Sequence, residues 1–125
     1  MAMNPLRSMM DSGVGLALGS DSPVTPLAPW DGVRAAVNHR TPSQRIRPSE
    51  AFEAHSAGGW AAAGRSGEGR LVVGAPATCA LWRVAGDLGT DGLPALDEAA
   101  ALPVCEQTWV RGRTIFSTEQ SAQEN

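Results

Sequence analysis

The chain has 125 residues, 42% of them hydrophobic, and a formal net charge of -3 at pH 7. Leu, Ile, Val and Phe together number 23 of the 125, about 18%, which is near the level where a self-sufficient core becomes doubtful. The charge is too low for a disordered chain, its ten basic residues are scattered arginines without the basic patch of a nucleic-acid binder, and no apolar run nears the ~20 residues of a membrane span. The chain therefore reads as ordered but core-poor, with alanine supplying much of its apolar content.

The first 13 residues, MAMNPLRSMMDSG, lack the apolar region and cleavage site of a signal peptide, so the expected location is the cytoplasm. Within them, residues 4–12 suit the last turns of a helix closed by Gly13. Val14 to Gly19, VGLALG, is a continuous apolar run without alternation, the pattern of a central parallel strand covered on both faces. It is the only such run in the first seventy residues. Since a strand needs neighbours, the sheet it belongs to is not encoded here.

A loop, SDSPVTPLAP, leads to PWDGVRAAVNHR. There Pro29 suits a first helical turn, and Trp30, Val33 and Val37 share one face. A second helix is expected near PSEAFEAHSAGGW, begun by Pro48 and interrupted at Gly58-Gly59. The glycine-rich break RSGEGR then closes a first region, residues 1–64.

From residue 65 the pattern turns β-prone. LVVGAPATCALWRV predicts two short strands around a Gly74-Ala75-Pro76 turn. Residues 85–103 are acidic and rich in turn signals, and TWVRGRTIF predicts a hairpin or bent strand around Gly112. This second region covers 65–117, and the polar residues 118–125 are expected to form a disordered tail. Cys79 and Cys105 have neither a CxxC spacing nor a nearby His, and a reducing compartment favours two free thiols.

The stretch LALGSDSPV carries the most specific signal, because an apolar run ends abruptly in Gly19, Ser20 and Asp21. An Asp before Ser-Pro commonly caps a turn through a nearby backbone N–H. At the carboxyl end of a barrel strand it instead faces substrate, where it can bind a metal ion or accept a proton from water. Trp30, close after this loop, either lines a substrate pocket or packs under its own helix. Composition leaves both pairs of readings open. GSDSP is not the G-x-S-x-G elbow of a serine hydrolase, and GVGLALG lacks the helix that opens directly after a dinucleotide fingerprint.

GVGLALGSDSPVTPLAPWDGVRAAVNHRTPSQRI, EAFEAHSAGGWAAAGR, GRLVVGAPATCALW and TWVRGRTIF, in that order, resemble the C-terminal third of the amidohydrolase superfamily. The similarity is to the amidohydrolase-3 branch, which includes N-substituted formamide deformylase-like enzymes. It implies an α/β fold: the C-terminal end of a β/α (TIM-like) barrel, followed by part of a small β-sandwich and incomplete on its own. Val14 to Ser20 becomes the last barrel strand. Asp21 becomes the acidic residue at its tip, both catalytic and a metal contact. The implied reaction is hydrolysis of a non-peptide C–N bond of a small-molecule substrate by metal-activated water.

The same resemblance implies ligands that are not here. The chain has no HxH motif, no Lys, and only His39 and His55, both in helical segments and expected to be structural. A divalent metal, zinc above all, is expected in the complete enzyme and not in this chain alone, since a catalytic zinc takes about three protein ligands. A missing N-terminal barrel segment or a partner chain would supply the rest, leaving the isolated chain inactive. A non-catalytic remnant is the rival reading.

Overall fold

A computed structural model describes residues 3–121. The first helix, α1 (Leu6–Asp11), ends as its sequence predicts. Gly13, at φ +78°, donates to Met10 O and Val14 N–H donates to Met9 O, so two terminal carbonyls are satisfied by a Schellman turn.

α2 (Pro29–Val37) starts on Pro29, and its apolar face buries Trp30, Val33 and Ala36. Asp31 in the first turn pairs with Arg34 at 2.8 Å, and its charge suits the helix N-terminus. After a 3-10 turn (Pro42–Gln44) comes α3 (Pro48–His55), whose buried face is two alanines, Ala51 and Ala54. The buried Gln44 amide is bonded at both its oxygen and its nitrogen. Its Oε1 accepts Ser8 N–H at 3.1 Å and its Nε2 donates to Ser8 Oγ at 2.9 Å, tying the 3-10 turn to α1.

α3 breaks at Ser56, and α4 (Ala57–Ala62) follows at once. Gly58 and Gly59 thus lie inside a helix rather than interrupting one. Gly64, at φ +76°, ends α4 in a second Schellman turn, with Arg65 N–H on Trp60 O and the Arg65 guanidinium 4.7 Å over the Trp60 ring.

The second region contributes β1 (Cys79–Arg83), β2 (Val104–Val110) and β3 (Arg113–Ser117), an antiparallel sheet in the order β1-β2-β3. The β2–β3 turn is Arg111-Gly112, both at positive φ, as the tight hairpin turn that matches strand twist requires. Leu71, Val72 and Val73 form no strand and stand exposed; of the two strands expected in LVVGAPATCALWRV, only the second pairs. Thr118–Ser121 forms a single helical turn, α5, where a disordered tail was expected; residues 122–125 lie outside the described residues.

Val14 to Ser20, expected as a strand whose neighbours the chain does not encode, forms neither a helix nor a paired strand among the described residues. A lone strand has no ladder to join. The β portion is one three-stranded layer, and among the described residues it meets no second sheet.

One hydrophobic cluster nonetheless spans both regions. Leu6, Trp30, Val33, Ala36, Ile46 and Ala51 from the helical part enclose Leu96 from the acidic segment. Trp82 of β1 meets Trp30 edge-on at 6.1 Å. Two polar contacts bind the segment to α2: Asn38 Nδ2 donates to Leu96 O at 2.7 Å, and Arg34 reaches Ala100 O at 3.4 Å. The chain still exposes 8778 Å², against roughly 6,300 Å² for a folded monomer of this mass.

Candidate functional site

The site centres on the turn that follows the apolar run. Val14 N–H bonds Met9 O at one end of the run, and Leu18 N–H bonds Ala54 O at 3.1 Å in its middle. The Leu16 carbonyl lies so close to α4 that a Cβ on Gly58 would sit 2.2 Å from its oxygen. The run is thereby laid across the α3–α4 corner.

Beyond it the chain folds back on itself. Ser22 N–H donates to Ser20 Oγ at 3.2 Å, the Thr25 hydroxyl donates to Ser20 O, and Val24 N–H donates to Asp21 O at 2.9 Å. With Ser22–Pro23 cis, Asp21 to Val24 forms a type VI turn. Asp21 stands at its head in the left-handed region, φ +55°, where Asp and Asn are among the few side chains commonly found. Its side chain is exposed and has no hydrogen bond or ion pair to the described residues. The turn is held by the Asp21 carbonyl and the Ser20 side chain, and the Asp21 carboxylate is left over.

Trp30, two helical residues into α2, is elsewhere in character. It is 8% exposed, and its ring contacts Phe52 at 5.6 Å and Trp82 at 6.1 Å. In this chain it is a packing residue.

His39, expected in a helical segment, lies just past the end of α2, where Thr41 N–H approaches its Nδ1 at 3.0 Å and its Nε2 lies 3.2 Å from Met3 O. His55 ends α3 with its ring against Gly32 of α2, and its Nε2 is buried without a partner among the described residues. Burial pushes the His55 pKa down. Cys79 and Cys105 are free, half-buried thiols on adjacent strands. An open groove of about 680 Å³ lies along α2 between Arg34, Asn38, His39, Arg40 and Glu98, and Asp21 is not among its walls.

A family model for the amidohydrolase family matches residues 1–116. The chain belongs to the amidohydrolase family. No curated protein and no solved structure matches it. Members of the family generally use divalent metals and act on small molecules, and the match supports a hydrolase-type function. Among the described residues, no helix is long and apolar enough to cross a membrane.

The amidohydrolase chain's own residues do not fit a divalent ion. Among the described residues, no three of His, Cys, Asp and Glu are grouped so as to hold one, and Asp21 offers a single carboxylate where about three protein ligands are needed. Two features of the site left little trace in the sequence. One is the pair of close-contact glycines: Gly58 read as part of a helix interruption, and Gly32 carried no signal at all. The other is the Leu93, Leu96 and Leu102 strap, whose leucines were its one signal.

Proposed function

We propose that this chain furnishes the Asp21-bearing C-terminal part of an amidohydrolase of the N-substituted formamide deformylase-like branch. The enzyme hydrolyses a non-peptide C–N bond in a small molecule. The observation that carries this reading is an exposed carboxylate, free of structural duty, in a chain matched by the family over residues 1–116.

Asp21 acts as general base. A carboxylate oxygen takes a proton from water while the water oxygen bonds to the carbonyl carbon. The C–N bond then breaks, and the nitrogen leaves as an amine on receiving that proton. Asp21 is also the metal contact that this chain brings to the complete enzyme. The other donors come from a polypeptide segment outside the chain, which also covers its surplus apolar surface.

The test is complementation. The chain is co-expressed with a family barrel truncated before its last strand, and formate release from an N-substituted formamide is measured. Turnover is expected only with both parts present and is lost in Asp21→Asn. Hydrolysis by the zinc-supplemented chain alone, or complemented turnover that survives Asp21→Asn, would overturn the reading.

A further inference from the structure

His55 is a half-buried ionisable group that the reading above leaves unused, and its position is unusual in three respects. Its ring fills the seam between α2 and α3, so closely that a Cβ on Gly32 would lie 2.6 Å from Nε2 and 2.8 Å from Cε1. Nε2 is buried and has no acceptor among the described residues. Finally, His55 lies between the two points where the apolar run is fastened, the Ala54 carbonyl that receives Leu18 N–H and the Gly58 backbone that meets Leu16 O. The seam and the run that ends in Asp21 thus share one stretch of backbone, Ala54 to Gly58.

We infer that His55 is a positioning residue, a neutral clamp between α2 and α3 that holds the Asp21 segment in place and releases it when the ring is protonated. Protonation puts a charge and a second N–H donor where no acceptor stands, and a buried unpaired charge is costly. No neighbouring carboxylate is free to compensate. On α2, Asp31 is paired with Arg34. On α3, Glu50 is held by Arg7 and Arg47, and Glu53 by Arg70. α4 carries no ionisable side chain. The C-terminal end of α3 favours a cation, but burial is the stronger influence and the ring's pKa falls below its usual 6.5. The consequence for catalysis rests on the Asp21 reading; the clamp itself does not.

The chain has only two histidines, so a proton NMR titration of the intact protein resolves both rings, with His39→Asn making the assignment. We expect the His55 ring to titrate below about 6.5, and the Leu18 and Gly19 amides to shift with the same midpoint. In His55→Gln those amides no longer respond between pH 5 and 7, and in Gly32→Ala, which drives the ring from the seam, its midpoint moves back toward 6.5. A His55 midpoint at or above 6.5 overturns the clamp, as do Leu18 and Gly19 amides indifferent to it. The wild-type titration decides even if neither seam variant folds. Failure of the Asp21 complementation assay leaves this titration untouched, so the two ideas fail separately.

Discussion

The Leu16 carbonyl and Gly58 touch, leaving no room for a side chain at position 58. A Cβ there would lie 2.2 Å from the Leu16 oxygen, whereas the neighbouring Gly59 has nothing within 4 Å of the equivalent point. Two consecutive glycines in one short helix therefore have different reasons for being glycine.

Alanine separates those reasons. Gly59→Ala gains helix propensity at no steric cost and should raise stability by up to about 1 kcal/mol. Gly58→Ala gains the same propensity but pushes backbone against backbone, so a net loss of about 1–3 kcal/mol is expected. Urea unfolding of the two variants side by side checks this, and equal effects would mean that the Leu16 contact is not maintained.

Glu50 predicts how stability responds to acid. Arg47 and Arg7 hold its carboxylate with side-chain contacts of 2.8 and 2.5 Å, and Arg47 N–H donates to it at 2.7 Å. Its pKa falls to about 2, with the Arg47 hydrogen bond the largest cause. Because the folded pKa lies below the unfolded one, this stabilisation is fully present above the unfolded value of about 4.3. It is lost as pH falls through the folded value of about 2. Glu50→Gln should cost about 1–2 kcal/mol at pH 7, since hydrogen bonds to charged groups are worth that much but both arginines are partly in water. The cost should shrink toward pH 2, as chemical denaturation at several pH values would show.

Asp21→Asn should leave stability within about 0.5 kcal/mol, because the side chain is exposed and makes no contact that holds the turn. Asn also tolerates the left-handed backbone. Asp21→Ala should cost about 1 kcal/mol through strain at that φ. Thermal unfolding of the two variants distinguishes loss of the carboxylate from loss of the turn, and a large drop in Asp21→Asn would assign the carboxylate a structural role.

Trp30 joins the helical part to the sheet. Trp30→Ala removes a buried ring that contacts Phe52 and Trp82, for an expected loss of about 3–5 kcal/mol. Trp82→Ala should cost less, since Trp82 is only partly buried. It should also free the sheet from the helices, which hydrogen exchange would report as faster exchange in β1 while α2 stays protected.

Helix starts, helix stops and the hairpin were legible because local chemistry determines them. Pro29 and Pro48 open α2 and α3, Gly13 accepts the positive φ that ends α1, and Arg111-Gly112 occupies the turn between β2 and β3. Asp21 was legible too, as the polar break after an apolar run. The sequence by itself also determined that the core would be lean, since alanines can line a helix seam but cannot fill a wide one. Whether VGLALG pairs as a strand was a tertiary matter, because hydrogen-bonding partners are supplied by other segments and the described residues hold none for it. The same holds for Gly58 beside Leu16, for Leu96 in the core and for His55 against Gly32: each depends on contact between parts of the chain far apart in sequence. Local patterns carry backbone preferences, whereas which surfaces meet is set by the packing of the whole.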